Sequence, residues 1–251
     1  MAVHADFAKV VETLIRDALP AIGDRHPFHR KIVEGHATRD DLAIWAVQTY
    51  HRNLYSSRFA SANHSRCPIK EVRLALLEVV KEEELARPGA PPSHAELMVR
   101  FAEATGLSRE EIFKSRPLNT TLVFIDTLMQ LSEGHWLEGI SFRASEIASP
   151  EGCALWHDVL QKKYGFKAEE VAWFKTHEVA DIEHGNIAID AYGKYARDEA
   201  EQTISIRAIE RMLAAWDVFD YGVLRAGEEA REGRDVGFRL PSQASQTTHA
   251  G

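Results

Sequence analysis

The segment Thr176-His177-Glu178-Val179-Ala180-Asp181-Ile182-Glu183-His184 carries the sharpest chemical signal in the chain. His177, Asp181 and His184 stand at i, i+4 and i+7, so on a helix all three project from one face. Two imidazoles and a carboxylate on one stripe suit a hard or borderline divalent ion. A single histidine on such a stripe reads more readily as part of a solvated face. The triplet at this spacing favours ligands. Three donors leave an ion incompletely coordinated, so other helices must contribute. Glu83 closes an apolar-periodic stretch beside Val79 and Val80, and His94 opens the next one. Glu146 lies within a long apolar segment, where a carboxylate is costly to bury unless paired or metal-bound. Glu82-Glu83-Glu84 also has the look of a surface charge run, and Glu82 or Glu84 can take the place of Glu83. Three carboxylates and three histidines suit two metal ions better than one, because carboxylates bridge a pair of ions and imidazoles cap it.

Two other chemistries compete for these residues. His177 to Asp181 resembles the HExxH zinc-hydrolase pattern with its second histidine replaced by aspartate, which removes a ligand that the pattern needs. A nucleophilic cysteine requires a local base, and neither Cys67 nor Cys153 has one nearby in the sequence.

The elements that must position these side chains are helical throughout. Phe7, Val10, Val11, Leu14, Ile15 and Leu19 form a 3.6-residue stripe that stops at Pro20–Gly23. A short helix follows His26-Pro27 and ends near Gly35. Thr38-Arg39-Asp40-Asp41 reads as an N-cap with first-turn acids. It opens a helix that runs through Trp45, Tyr50 and Leu54 to about His64. Another starts at Pro68 and reaches the acidic run. Arg87–Pro92 breaks it, Ser93 caps the next, and Ser108-Arg109-Glu110-Glu111 is a capping box. Thr120 to Ala148 reads as one long helix ending at Ser149-Pro150. Glu169 to about Ala196 follows as one helix or two, and the last runs from Ala200 to about Arg231. No alternating strand pattern and no internal repeat occurs. The expectation is an all-α bundle of about seven to eight helices in a single domain over residues 1–232. Residues 233–251 form a polar tail, expected to be disordered.

Composition excludes several roles. The chain of 251 residues carries a net charge of −8 without a basic stripe, so nucleic acid is not an expected partner. Two cysteines outside any CxxC pairing fit a reducing compartment rather than a disulfide framework. The start, Met-Ala-Val-His-Ala-Asp-Phe, lacks the basic and apolar regions of a signal peptide, and no apolar run is long enough to span a bilayer. A cytoplasmic protein without a membrane partner is expected.

From roughly Arg25 to Ala230 the chain resembles the heme-oxygenase-like superfamily, in particular its pyrroloquinoline quinone synthase C-like and thiaminase II-like branch. His26-Pro27-Phe28, Gln48-Thr49-Tyr50, His64-Ser65-Arg66-Cys67, Ser93-His94-Ala95-Glu96-Leu97 and Asp181-Ile182-Glu183-His184-Gly185 carry the likeness. Within it the chain looks most like the non-heme di-iron oxidases and oxygenases. The resemblance places the family's ligands on Glu83, His94, Glu146, His177, Asp181 and His184. It implies two iron ions, or an iron–manganese pair, with dioxygen as co-substrate and a small organic molecule as substrate. The family pocket lies between the first helices and the metal helices, which makes Tyr50, His29 and His51 candidates for catalytic contacts. Tyr50 is equally well read as a core aromatic. Related bundles often form homodimers.

The chain also departs from its relatives. The synthase C proteins carry a histidine where Glu83 stands and use no metal. A chlamydial relative has tyrosines at the positions of His29 and Ser145, and thiaminase II proteins have a cysteine near Glu146 that is missing here. The expected function is therefore a di-iron oxidase or oxygenase. The alternatives are a metal-independent oxidase or small-molecule binding protein of the synthase C type, and a helical interaction module.

Overall fold

Thirteen α-helices and one 3-10 turn, with no strand among the described residues, make up the computed structural model, which describes residues 3–19, 26–85 and 92–243. Helix α1 (Phe7–Ala18) is held by its Asp6 cap and buries Phe7, Val11 and Ile15. Its expected stop at Pro20–Gly23, like most of the Arg87–Pro92 break, lies outside the described residues. Helix α2 (Pro27–Glu34) begins with His26 as N-cap and proline in its first turn, and Gly35 closes it at φ 86°. Helix α3 (Arg39–Asn53) opens with the expected Thr38–Asp41 capping box. Asp41 also takes Lys31 at 2.6 Å and Arg231 at 3.1 Å, which ties three helices together. Residues 41–49 of α3 are buried without interruption, so this is the central helix.

The helix expected from the Thr38–Asp41 cap to about His64 is two helices. A turn at Leu54-Tyr55 separates α3 from α4 (Ser56–Arg66), and the apolar period runs on across it. Helices α5 (Lys70–Glu84), α6 (His94–Ala104) and α7 (Arg109–Lys114) follow, the last two capped by Ser93 and Ser108 as their sequences predict.

The segment expected as one helix over Thr120–Ala148 is instead broken into α8 (Asn119–Glu133), α9 (Trp136–Gly139), α10 (Ser141–Ser145) and a 3-10 turn (Glu146–Ala148). His135 stops the run by capping α9, where it forms a capping box with Glu138. Asn63 then donates to the Trp136 carbonyl at 3.1 Å. Ser149-Pro150, expected as a terminator, opens α11 (Ser149–Tyr164), because proline is well tolerated in a first turn. Helix α12 (Ala172–Tyr195) is one continuous helix, and α13 (Glu199–Arg231) is the longest. The excess over seven or eight helices comes from short turns that leave the apolar period intact.

Helix α11 packs on α12, α4 on α5, α8 on α13, and α3 on α6. Where α3, α6, α11 and α12 meet, Trp45 stacks on Phe174 at 5.6 Å, with Trp156 4.8 Å from Trp45 and Phe101 5.3 Å from Phe174. Each such pair adds about 0.5–1.5 kcal/mol beyond simple burial. No helix among the described residues is long and apolar enough to cross a membrane. The expected disordered tail is corrected over residues 233–243. Val236 and Leu240 are buried, Gly237 accepts from the Arg116 amide at 3.1 Å, and Asp235 pairs with Arg116 at 2.6 Å. Two apolar anchors suffice to dock this polar stretch. Residues 244–251 lie outside the described residues.

Candidate metal centre

Six side chains from four elements converge. Glu83 comes from the last turn of α5, His94 from the first residue of α6, Glu146 from the 3-10 turn, and His177, Asp181 and His184 from one face of α12. One backbone contact sets the approach of the turn to α12: a β-carbon at Gly185 would lie 2.6 Å from the Ile147 amide nitrogen. Glycine therefore lets α12 come close enough for Glu146, Asp181 and His184 to offer ligand atoms within 4.8 Å of one another. Beside them, His94 Nδ1 is 3.2 Å from Glu83 Oε2, and the His94 and His177 rings are 4.4 Å apart.

The histidines are held in defined orientations. His177 Nδ1 donates to the Trp173 carbonyl at 2.8 Å, and its ring stacks on Trp173 with centroids 3.8 Å apart. That bond leaves the Nε2 lone pair free to bind a metal. His184 Nε2 bonds Glu82 at 2.9 Å, which turns its Nδ1 toward Glu146 Oε2 at 3.4 Å. The three consecutive acids face different ways. Glu83 points inward, Glu82 orients His184, and Glu84 faces solvent while accepting from Ser57.

Arg143 and Ser56 join the two sides of the site. Arg143 reaches Glu146 at 2.6 Å and donates to Ser56 Oγ at 2.7 Å, and Ser56 in turn donates to Glu83 at 2.6 Å. Sequence reasoning passed over both residues. The available signal was an arginine in the apolar stretch three residues before Glu146, since a buried arginine needs an acidic partner.

The electrostatics describe a site that takes up cationic charge. Burial and the neighbouring Glu146 push the Asp181 carboxyl up to about 8. Burial alone would lower His184, but Glu146 lifts it to about 9, and Glu83 likewise raises His94 against its burial. Glu83 resists its own burial through His94, Arg143 and Ser56 and falls to about 2. Burial and His94 keep His177 neutral, well below the usual histidine range. The cluster thus draws in protons that metal cations would displace. His94 Nδ1 and Glu146 Oε2 are buried and meet only other members of the cluster, Glu83 Oε2 at 3.2 Å and His184 Nδ1 at 3.4 Å, outside good hydrogen-bond geometry. Imidazole and carboxylate atoms that meet only one another in a shared space fit a carboxylate–histidine metal centre.

Glu83, Glu146, His177 and Asp181 border a cavity of about 160 Å³ whose other walls include Trp45, Trp156, Phe174, Trp216, His29, Arg52 and Asp220. His29 Nε2 is 3.0 Å from Asp220, and its Nδ1 is buried without a partner. His26, His29 and Asp220 form a second cluster with ligand atoms within 4.8 Å. Cys153 also borders the cavity, but burial pushes its thiol up to about 12, which leaves no thiolate for nucleophilic chemistry.

Tyr50 and His51 are placed elsewhere, contrary to expectation. His51 bonds Ser115 at 2.9 Å, Tyr50 packs on Phe113, and neither borders the cavity. At about 100° per residue, Trp45, Arg52 and Asn53 share the inward face of α3, and residues 50 and 51 fall outside it.

Comparison with known proteins agrees with the geometry. The family described as iron-containing redox enzymes matches residues 43–217. The 4-aminobenzoate synthase of Chlamydia muridarum is 28% identical over 187 residues, covering 71% of this chain and 75% of that protein. The pyrroloquinoline-quinone synthase of Ectopseudomonas mendocina is 24% identical over 204 residues, covering 78% and 79%. Among solved structures, a domain of unknown function with a heme oxygenase-like fold from Shewanella denitrificans superposes with TM-score 0.76 at 16% identity, over 92% of this chain and 96% of that one. A TenA homolog from Pseudomonas syringae pv. tomato gives 0.72 at 13% identity, over 87% and 93%. An all-α chain with the heme oxygenase-like fold, matched over most of its length, this protein belongs to the iron-containing redox enzyme family and is an oxidoreductase.

Proposed function

We propose that Glu83, His94, Glu146, His177, Asp181 and His184 hold two iron ions and that the protein is a dioxygen-dependent oxidase or oxygenase of a small organic molecule bound in the adjoining cavity. The observation that carries this reading is the convergence of three carboxylates and three histidines in the interior, where Glu146, Asp181 and His184 offer ligand atoms within 4.8 Å of one another and His94 meets Glu83 at 3.2 Å. A bound iron pair supplies the electrons and the open positions for dioxygen.

The chain's own residues do the rest. Trp173 and Glu82 fix the rings of His177 and His184. Arg143 and Ser56 hold Glu146 and Glu83 at a set separation. The indole and phenyl walls exclude bulk water from the reacting centre. His29, steadied through Nε2 by Asp220, presents its free Nδ1 at the cavity and can take a proton from the substrate there.

A metal-independent oxidase of the synthase C type remains the second reading, supported by the likeness to pyrroloquinoline-quinone synthases. It leaves the crowding of Asp181 against Glu146 without a purpose. Anaerobic loading with ferrous ion, followed by metal analysis and admission of oxygen, separates the two. About two irons per chain and a transient visible absorption band support the di-iron reading. No bound iron supports the metal-independent one. Manganese bound beside iron would identify a mixed pair.

A further inference from the structure

Arg52 is the buried charge that the metal centre does not use. Its side chain is 7% exposed, borders the cavity, and enters no ion pair or side-chain hydrogen bond among the described residues; Nε is fully buried without a partner. Aromatic rings hold its face. The guanidinium carbon lies 4.6 Å from the Trp216 centroid, 5.6 Å from that of Phe219 and 5.8 Å from that of Phe124. Rings engage the face of a guanidinium and leave its in-plane N–H donors unspent. A buried cation with unspent donors is costly and ordinarily has an anion beside it.

Asp220 is the acid that most favours the Arg52 charge, but no carboxylate lies within ion-pair distance of its guanidinium among the described residues. Arg143 is matched to Glu146, and Asp220 is engaged by His29. On the di-iron reading, which this inference rests on, Glu83, Glu146 and Asp181 are taken up by metal. Arg52 is left without a contact ion pair of its own. Burial pulls its pKa down to about 10, with Asp220, Glu83, Asp181 and Glu146 opposing the fall, so it is a cation at neutral pH.

We propose that Arg52 is the counter-ion of the substrate and that the cavity takes a small, planar organic monoanion. Its carboxylate lies on the guanidinium fork and its body among Trp45, Trp156 and Trp216. A guanidinium without a contact ion pair favours a ligand anion, and its planar fork suits a single carboxylate. A volume of about 160 Å³ is close to that of an engineered apolar cavity of ~150 Å³ that binds benzene, so one six-membered ring fits. Indole walls favour a flat body over a branched one.

Benzoate and its neutral isostere benzamide are suitable probes, with binding read by quenching of tryptophan fluorescence. The measurement is made on chelator-stripped protein and on protein loaded anaerobically with ferrous ion, and iron is counted in the same samples. Wild-type protein is expected to prefer benzoate by about ten-fold or more, the size of one charge-assisted contact. Arg52→Gln should abolish that preference and leave benzamide binding within about two-fold, while Arg52→Lys, which keeps the charge, retains part of it. A wild-type protein that does not distinguish the two probes overturns the proposal, whether or not the variants fold. An unchanged ratio in Arg52→Gln does the same. Two irons per chain without benzoate preference sinks the Arg52 assignment alone. Benzoate preference without iron sinks the di-iron reading and leaves Arg52 in place.

Discussion

Two histidine–carboxylate clusters adjoin one cavity and look alike in composition: Glu146, Asp181 and His184 on one side, His26, His29 and Asp220 on the other. Their internal bonding differs. In the second cluster, His26 Nδ1 accepts from the Phe28 amide at 3.2 Å, and His29 engages Asp220 at 3.0 Å. A histidine that already accepts through one nitrogen carries its proton on the other and is a poor metal ligand. Burial also lowers the pKa of His26, which keeps it neutral. In the first cluster two carboxylates crowd one imidazole, and burial together with Glu146 pushes Asp181 up against the opposing pull of Ser149, His184 and His94. Ligand types within reach of one another do not by themselves make a metal site. His26 Nε2 and His29 Nδ1 also lack partners, so the better sign is the pair of carboxylates crowded on one imidazole in the first cluster.

The largest expected effect tests that contrast directly. His177→Ala or Asp181→Ala should abolish turnover and weaken ferrous binding by more than about a hundredfold, since even losing a group that only orients a ligand costs ~10–100-fold. His26→Ala should leave the iron count unchanged. Metal analysis after anaerobic loading reads both, and equal iron loss in the two clusters would erase the distinction.

Next in size is the role of His29. Asp220→Asn or His29→Ala should keep the full iron complement and slow turnover by about a hundredfold, the usual contribution of a positioned base. Single-turnover rates at saturating oxygen measure this, and a loss of iron instead would place His29 among the ligands.

Asp181 supplies a stability prediction whose sign reverses with metal. In metal-free protein its folded pKa of about 8 exceeds the ordinary value of 3.8. Between those values the folded state holds more protons than the unfolded chain, so stability falls as pH rises across the window. Asp181→Asn removes this penalty and should raise the Tm of metal-free protein at pH 8 by several degrees, at about 2–4 °C per kcal/mol for a chain of this size. The same variant should lower the Tm of iron-loaded protein, because ligand binding stabilises the folded state in proportion to affinity. Thermal unfolding with and without ferrous ion tests both signs.

The smallest effect concerns the outer face of α3. Tyr50→Phe and His51→Gln should leave iron binding and turnover within about two-fold and stability within about 1 kcal/mol, as changes away from the site do. A large kinetic effect from either would return these residues to the catalytic set.

Local signals account for what the sequence showed correctly. The caps at Thr38, Ser93 and Ser108 each act within three residues, and the structure contains all three. The triplet of α12 was legible because i, i+4 and i+7 share a face whatever that helix packs against. Reading Thr120–Ala148 as one helix failed because an apolar period continues through a capped break when both sides of it are buried. Tyr50 and His51 were selected for their chemistry and their place near the first helices. Their neighbour Arg52 faces the cavity, and a difference of one or two residues turns a side chain to another side of the helix.

The sequence by itself determined the helical class, the cap positions, and the residue types from which a metal centre can be built. Tertiary structure alone decided that Glu83 rather than Glu82 or Glu84 turns inward, that a glycine brings the Glu146 turn against α12, and that Arg143 joins two carboxylates. It also decided that Arg52 stands unpaired beside an aromatic cavity. Periodicity states which residues share a face within one helix. The rotation and approach of that helix relative to its neighbours depend on the packing of every other side chain at the contact, and those two quantities bring the carboxylates and imidazoles of different helices within reach of one another.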